Sequence, residues 1–299
     1  MFEQNIGELA ALATAFSWTL VGIFFGKASS RIGSLSVNFI KLVFGFAFLT
    51  VTALITRGVP FPTDASVHNW TWLTVSGIIG FFIGDFFMLK AYIEVGVRIS
   101  LLMMATSPPM AALLGYFLLG EKLSLSGVVG MMVTIMGIVI VVMSRDRGGQ
   151  GVRMKYSPRG LFYAFMGALG QATGLIFSKV GLLDYNTFAA TQIRIIAGFI
   201  SFVVFVTIMG RWGELKLAIK DNEAIKYTLY GSFFGPFLGV SMSLVALRYT
   251  TAGIASTITS ITPITIIPFS IFLFKEKVKP SEIFGAFVSV AGVAILLLL

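Results

Sequence analysis

Long apolar runs, separated by short polar or glycine- and proline-rich stretches, fill the chain from end to end. A run of about 20 apolar residues is long enough to cross the hydrocarbon core of a bilayer. The pattern predicts ten such spans, at residues 8–28, 35–56, 70–92, 98–119, 124–143, 160–180, 187–209, 227–247, 252–273 and 282–299. The breaks at 57–62 and 145–151 are turn-rich, and the charged stretch 211–226 is expected to hold a surface helix.

The chain also contains an internal repeat. Residues 80–142 align without a gap onto residues 235–297, and the first two spans of each half correspond more weakly. Identical pairs include Gly80/Gly235, Gly84/Gly239, Leu89/Leu244, Ala91/Ala246, Pro108/Pro263, Glu121/Glu276, Lys122/Lys277, Ser126/Ser281, Gly130/Gly285 and Gly137/Gly292. A repeat of five spans is odd, so the second copy must enter the membrane from the opposite side. We therefore expect two inverted five-helix repeats, residues 1–148 and 149–299, around a central cavity.

The composition fits a chain that is covered by lipid. Hydrophobic residues make up 57% of it and charged residues only 12%, against about 25% charged residues in a soluble domain. This predicts an all-α integral membrane protein. The net charge of +9 comes mostly from loops after odd-numbered spans, which places those loops in the cytoplasm and both termini outside. We therefore interpret the excess of basic residues as a signal that orients the spans in the membrane, and not as a sign of nucleic-acid binding.

Two prolines occupy matching places in the repeat, Pro108 in the fourth span and Pro263 in the ninth. A proline removes one helical hydrogen bond, and in lipid the carbonyl group left over must be satisfied by another donor. Hydroxyl groups that could do so belong to Thr106, Ser107, Thr257, Thr259, Ser260 and Thr262. The pattern indicates either kinked helices patched by their own hydroxyls, or a matched pair of broken helices that flank a midplane cavity and act as hinges.

Asp85 lies inside the third span, where an ionised carboxylate must pair, take up a proton or face water. It could form a salt bridge with Lys41 or Lys90, or bind protons or the amine of a substrate. Lys41 and Arg194 are repeat mates, and inversion is expected to place them near opposite membrane faces. They could extend to the interface or act as cationic gates that attract an anionic solute.

Trp18 and Gln171 lie at matching depth in the first and sixth spans. Each is large and polar enough to line a cavity, and Trp18 could equally serve packing alone. The chain contains no cysteine and a single histidine, His68, in a loop. It therefore offers no metal-ligand cluster and no catalytic constellation, which argues against an enzyme.

These features together resemble the drug/metabolite transporter superfamily, in its EamA-domain branch. The matching stretches are Ala91-Tyr92…Pro108…Leu119-Gly120-Glu121-Lys122 and Ala246-Leu247-Arg248-Tyr249…Pro263…Phe274-Lys275-Glu276-Lys277. The resemblance covers roughly residues 8–299. It implies ten helices, a central cavity between inverted halves, alternating access and a place in the plasma (inner) membrane. Many members are drawn with both termini in the cytoplasm, which conflicts with the charge count.

The resemblance also implies which residues bind substrate, because cavity walls in such proteins come mainly from the first, third and fourth helices of each repeat. The candidates are Trp18, Asp85, Thr106, Ser107, Gln171, Thr259 and Thr262. Small four-helix relatives use a glutamate in their first helix for proton-coupled export. The interior of the first span has no acid here, so Asp85 is the only obvious substitute.

We therefore expect a secondary active transporter that exports amino acids or related small polar metabolites by alternating access. Two alternatives stay open: a drug or cation exporter coupled to protons through Asp85, and an exchanger of nucleotide sugars or sugar phosphates. No cofactor, metal or nucleic acid is expected. The partners would be the bilayer and a small solute, and the protein would be a monomer or a weak homodimer.

Overall fold

The computed structural model describes residues 6–120, 122, 124–143, 156–249 and 258–298, and within these ranges the regular structure is entirely helical. The first helical stretch is Ile6–Arg57, which we divide into α1 (6–32) and α2 (34–57). The other helices are α3 (Val67–Glu94), α4 (Gly96–Leu119), α5 (Leu125–Val142), α6 (Pro158–Leu182), α7 (Thr187–Ile208), α8 (Trp212–Ala218), α9 (222–249), α10 (Thr262–Phe272) and α11 (Pro280–Leu298).

Seven helical stretches of the described residues are long and apolar enough to cross a membrane when Ile6–Arg57 is counted as one, and α10 is a shorter apolar helix. The prediction of an all-helical membrane protein is confirmed. The stretch Ile6–Arg57 is 52 residues long, far more than the ~20 that one crossing requires. Gly33 divides it with a φ of 77° and a ψ of 158°, a backbone conformation that glycine adopts without steric cost. The predicted gap between the first two spans is therefore a single residue.

Polar residues fix where several helices begin. Ser66, Ser124, Ser157, Asn186 and Asp221 precede α3, α5, α6, α7 and α9, and each side chain accepts a hydrogen bond from a backbone N–H in the first turn. Such caps satisfy donors that a helix leaves unpaired at its start. The starts of these helices therefore follow from the local sequence, as the pattern of apolar runs predicts.

Large apolar side chains face outward on many helices as well as inward. Ile55, Phe117, Ile208 and Phe272 are each at least 75% exposed, while Phe202 of α7 is fully buried against α2 and α3. Soluble monomers rarely expose large apolar surfaces. The outward side chains are those that hydrocarbon would cover, so the packed core lies between the helices.

Two π-helical segments lie at equivalent places in the repeat. α3 contains the segment Ile78–Gly84 and α9 contains Phe233–Gly239, which match when the gap-free alignment is extended by two residues. Only the second contains a proline, Pro236. π-Helical turns are rare and occur frequently at functional sites. Proline cannot be the shared cause, and both segments instead carry glycines against which another helix packs.

Glycine contacts set the direction of the neighbouring helices. Gly84 of α3 packs on Gly170 of α6, and Gly80 packs on Gly174, so residue numbers fall along α6 as they rise along α3. A Cβ at Gly170 would lie 2.5 Å from the Cα of Gly84. The two helices are thus antiparallel with backbones in contact, as small residues allow in membrane helix pairs. α1 crosses the π segment of α9 in the same antiparallel sense.

The helices α5 and α11, which are repeat mates, also pack against each other in antiparallel fashion. A Cβ at Gly130 would lie 2.7 Å from the Gly292 carbonyl oxygen, and one at Gly137 would lie 2.6 Å from that of Gly285. The reciprocal approaches, from Gly292 and Gly285, are 2.8 and 2.7 Å. Since Gly130 aligns with Gly285 and Gly137 with Gly292, the contact has the pattern of a local two-fold axis.

The glycine contact between α5 and α11, which we name the seam, gives a test of the fold. Gly137→Ala places a methyl group against the backbone nitrogen of Ser289, and we expect it to lower the stability by about 1–3 kcal/mol because backbone cannot move aside as a side chain can. Gly213→Ala in α8 is the matched control, since a Cβ added there would have nothing within 4 Å. Thermal unfolding in detergent measures both, and equal midpoints would contradict the seam.

Candidate functional site

A buried ion cluster surrounds Asp85, directly after the first π segment. The ammonium group of Lys41 in α2 lies 2.6 Å from one carboxylate oxygen, and the side-chain amide of Gln171 in α6 donates to the other at 2.6 Å. The Lys41 and Asp85 side chains are only 8% and 15% exposed. Three helices from both halves of the sequence therefore meet at one carboxylate.

The local backbone explains how this carboxylate is reached. The backbone N–H of Asp85 donates to the carbonyl of Gly80, the i to i+5 bond of a π turn, so Gly80 lies one turn below Asp85 on the same side of α3. Gly84 lets the backbone of α6 approach, and this brings Gln171 to the acid. Asn38 of α2 adds a hydrogen bond of 3.3 Å to the Asp85 carbonyl.

Arg194 of α7 supplies a second cation beside the same π segment. One of its terminal nitrogens, Nη2, lies 3.3 Å from the position that a Cβ of Gly80 would occupy, and its guanidinium stacks on Phe81 with 4.7 Å to the ring centroid. Its Nε is buried and has no hydrogen-bond partner in the described part of the chain. Gly80 therefore leaves room for a guanidinium one π turn from the carboxylate.

Lys41 and Arg194 were expected from the sequence to be gates at opposite membrane faces, or side chains that extend to the interface. The structure brings both to the same stretch of α3, between Gly77 and Asp85, and the Lys41 ammonium ends at a carboxylate and not at a membrane face. The salt bridge expected for Asp85 is thus made with Lys41. Lys90, the other sequence candidate, lies over the rings of Phe86 and Tyr163 instead.

Trp18 is not part of this cluster. It packs on the second π segment, where its ring lies 3.9 Å and 3.7 Å from the Cβ positions of Gly235 and Gly239, and it is 39% exposed. Gln171, at matching depth in the other half, instead lies beside the first π segment, next to Gly84 and Asp85. The two residues thus lie beside two different π segments.

The hydroxyl candidates lie at two helix joints. In α4 a 3-10 turn, Met104–Thr106, precedes the helical segment that starts at Ser107, and the Thr106 hydroxyl donates to the Met103 carbonyl at 2.7 Å. In α10 the helix starts at Thr262, whose hydroxyl donates to the Thr259 carbonyl at 2.8 Å.

Pro108 and Pro263 lie in the first turn of these segments. A backbone N–H at that position has no hydrogen-bond acceptor within the helix, so a proline there removes no helical hydrogen bond. The hydroxyls of Thr106 and Thr262 satisfy nearby carbonyls, as is expected of a helix patched by its own side chains. The role of the two prolines as hinges stays a prediction.

A second ion cluster, centred on Arg98, was missed in the sequence, where Arg98 counts only as a loop cation. Its Nε donates to Glu276 at 2.9 Å and its Nη1 donates to Glu282 at 3.0 Å. The Tyr156 hydroxyl bridges Arg98 and Glu282. It accepts a hydrogen bond of 3.3 Å from Nη2 of Arg98 and donates one of 3.1 Å to the Glu282 carboxylate. Arg98 and Glu282 are 5% and 1% exposed, so the cluster fastens α4 to the start of α11.

Charged residues in the loops mark the two ends of the molecule, with the Arg98 cluster at one end and a group of residues around Arg57 at the other. Where α3 ends, Val95 contacts Gly160 at the start of α6, next to the Arg98 cluster, and we name this end the Arg98 face. At the other end, which we name the Arg57 face, Arg57 contacts Asp64 at 2.5 Å and Tyr185 donates to Asp64 at 2.8 Å. The hydrogen bond from Arg57, as the larger cause, and that from Tyr185 hold the pKa of the Asp64 carboxyl below its usual value.

The described helices are those of a multi-pass membrane protein, and a buried ion cluster lies where α2, α3 and α6 meet. A model of the EamA-like transporter family matches residues 5–143 and 158–298. The chain belongs to this family, the EamA branch of the drug/metabolite transporter superfamily, and the resemblance read from the sequence is confirmed. The family points to a transporter rather than an enzyme.

Two similar proteins are also described as transporters. The chain is 23% identical over 294 residues to an uncharacterized transporter of Archaeoglobus fulgidus, across 97% of both chains. It is 24% identical over 177 residues to an uncharacterized transporter of Clostridium kluyveri, across 59% of this chain and 56% of that one. A crystal structure at 17% identity superimposes with a TM-score of 0.58 over 97% of this chain and 95% of its own, which is a likeness of fold.

The Arg98 cluster makes a prediction about stability. Arg98→Leu takes the guanidinium away from the buried Glu282 carboxylate, and we expect a loss of about 3–5 kcal/mol because a buried charge loses its counter-charge. The matched control is Arg31→Leu, since Arg31 is exposed and pairs with the partly buried Asp221 and the exposed Glu223 at the surface, and such surface pairs contribute about 0–1 kcal/mol. Thermal unfolding in detergent measures both, and similar shifts would contradict a buried lock.

Proposed function

We propose that this protein is a secondary active transporter of amino acids, or of closely related small zwitterions, and that it exports them across the plasma membrane. The observation that carries the proposal is the cluster of Asp85, Lys41, Gln171 and Arg194 at the crossing of α2, α3, α6 and α7. Charged groups inside a membrane protein mark the path of a substrate or ion in most cases.

The charges of the cluster are those that a zwitterion requires. Arg194 offers a buried N–H donor that lacks a partner among the described residues, and a guanidinium binds carboxylates with directional hydrogen bonds. The Asp85 carboxylate is paired with Lys41 and Gln171. An ammonium group of the substrate would take their place at the carboxylate oxygens. One turn of a π helix separates the two sites, which is the scale of an α-amino acid.

We also infer ten spans in two inverted five-helix repeats, residues 1–148 and 149–299. The 52-residue stretch Ile6–Arg57 supplies two spans, and α9 and α10 supply two that length and hydropathy alone do not pick out. The antiparallel contact between the repeat mates α5 and α11 supports the inversion. By the positive-inside rule the Arg98 face, which carries most of the loop Lys and Arg, is cytoplasmic, and both termini are outside.

Transport would proceed by alternating access, with the two halves rocking about the Asp85 cluster. The cavity that this requires would be bounded by Trp18 and the second π segment on one side and by Gln171 and the first on the other. The hydroxyls at Thr106, Ser107, Thr259 and Thr262 lie at the joints where Pro108 and Pro263 would act as hinges. The Arg98 cluster ties α4 to α11 and would hold the cytoplasmic face closed until its ion pairs separate.

Substrate class can be tested in proteoliposomes by competition against a labelled amino acid. The full zwitterion should compete better than its decarboxylated amine or its deaminated acid. Asp85→Asn should weaken recognition of the amine and Arg194→Gln that of the acid, each by roughly ten- to a hundredfold, since a hydrogen bond to a charged group contributes about 1.5–3 kcal/mol. Glu223→Gln, which removes an exposed carboxylate, should leave both unchanged.

Two outcomes would contradict this proposal. Amino-acid flux that is intact in Asp85→Asn would remove the acid from the substrate site. Export of organic cations whose pH dependence disappears in Asp85→Asn, without any amino-acid flux, would favour the proton-coupled drug or cation exporter instead.

The inverted topology can be tested with single cysteines, because the natural chain has none. Thr63 lies in the loop after α2, and Gly213 lies in α8, within the corresponding connection after α7. A membrane-impermeant maleimide should label Thr63→Cys in intact cells and Gly213→Cys only after permeabilisation. Labelling of both from the same side would reject inversion, and the reverse pattern would reject the orientation.

A further inference from the structure

A pocket of about 230 Å³ opens at the Arg98 face, away from the Asp85 cluster. It lies between the start of α2, the end of α3, the start of α6 and the N-terminal end of α8. Its charged lining consists of Lys90, Glu94, Arg159, Arg211 and Glu214, and its aromatic lining consists of Phe86 and Tyr163. Pockets that enclose drug-sized ligands measure about 300–1,000 Å³, so this one suits a smaller group.

The charges of this pocket are incompletely balanced. Arg211 binds Glu214 through two hydrogen bonds of 2.6 and 2.5 Å, so this pair neutralises itself. Lys90 instead lies over aromatic rings, 4.4 Å from the Phe86 centroid and 5.3 Å from that of Tyr163. Within the described residues it forms no ion pair, so its ammonium is available to an anion.

Arg159 shares the ring of Tyr163 with Lys90. Its guanidinium carbon lies 5.5 Å from the centroid, and its Nε donates to the Tyr163 hydroxyl at 2.7 Å. Glu94 acts on Arg159 through space but makes no ion pair with it in the described part of the chain. The pocket thus holds one more cation than carboxylates, and two of its cations converge on one aromatic side chain.

The depth of the pocket in the membrane follows from its neighbours. α8 is a seven-residue helix that begins with Trp212, whose ring is 39% exposed and packs on Phe39 of α2 with 5.9 Å between centroids. Tryptophan is enriched at the level of lipid headgroups. The pocket opens beside this residue, at the end of α3 and the start of α6, so in a bilayer its cations would lie at the level of the phosphate groups.

We propose that this pocket binds a phosphoryl group, carried by an anionic phospholipid or by a soluble phosphate compound. The Lys90 ammonium and the free N–H groups of Arg159 would donate to its oxygens, and Tyr163 holds both cations in place. Basic pockets between membrane helices on the cytoplasmic side bind anionic headgroups by this chemistry. The proposal goes beyond the transport of zwitterions and does not depend on it, because none of the Asp85 cluster lines the pocket.

The test titrates the detergent-solubilised full-length protein with fluorescent phosphatidylglycerol, with phosphatidylcholine, and with inorganic phosphate. Lys90→Met should weaken phosphatidylglycerol binding roughly fivefold, the effect of one basic residue near a phosphate. The matched control is Lys27→Met. Lys27 also lies over a tyrosine ring, 5.4 Å from the centroid of Tyr227, and lies outside the pocket, so this change should have no effect.

The arms of the experiment separate the two sources of phosphate. Binding of phosphatidylglycerol that depends on Lys90, with none for phosphatidylcholine, supports a lipid ligand, and binding of inorganic phosphate alone with the same dependence supports a soluble one. If Lys90→Met and Lys27→Met behave alike with every probe, the proposal is wrong. Arg159→Gln, at an exposed position, gives the same comparison should Lys90→Met fail to fold.

Discussion

Direct contact between helix backbones is the constraint on which this structure depends. In lipid there is no hydrophobic force between helices, so association rests on close packing and on polar contacts. Gly80 and Gly84 of α3 meet Gly174 and Gly170 of α6 without any side chain between them. The same arrangement of small residues joins α5 to α11, and it is this packing that brings polar groups of distant segments within hydrogen-bond range.

The Asp85 cluster follows from that contact. Because Gly84 admits the backbone of α6, Gln171 reaches the carboxylate, and because Gly80 has no side chain, the Arg194 guanidinium fits one π turn away. An ionised acid inside the membrane requires such partners, since an unpaired charge there is costly. The same glycines therefore set both the packing and the charge cluster. A methyl group at Gly80 would lie 3.3 Å from the Arg194 guanidinium and 3.8 Å from the Gly174 Cα, so it would press on the charge cluster before it pressed on the helix contact.

The sequence predicts features that depend on neighbouring residues, and it does not predict contacts that depend on how distant helices pack. Apolar runs, capping residues and repeated glycines act locally, so the helices could be predicted closely. The partner of Asp85 could not be chosen between Lys41 and Lys90, because the choice depends on how α2 meets α3. The Arg98 cluster was missed for the same reason. Arg98 and Glu282 are 184 residues apart, and nothing in the apolar pattern connects a loop cation to an acid in the first turn of α11.

The repeat is symmetric in its packing and asymmetric in its chemistry. The glycines of the seam and the two π segments recur in both halves, yet in the alignment Asp85 corresponds to Val240 and Glu282 to Gly127. In the proposed mechanism, two like halves would give two conformations of similar energy, which alternating access requires. Charges present in only one half would give those conformations different energies. The buried Arg98 cluster would then favour closure at its own face, and substrate binding at Asp85 would have to offset that preference.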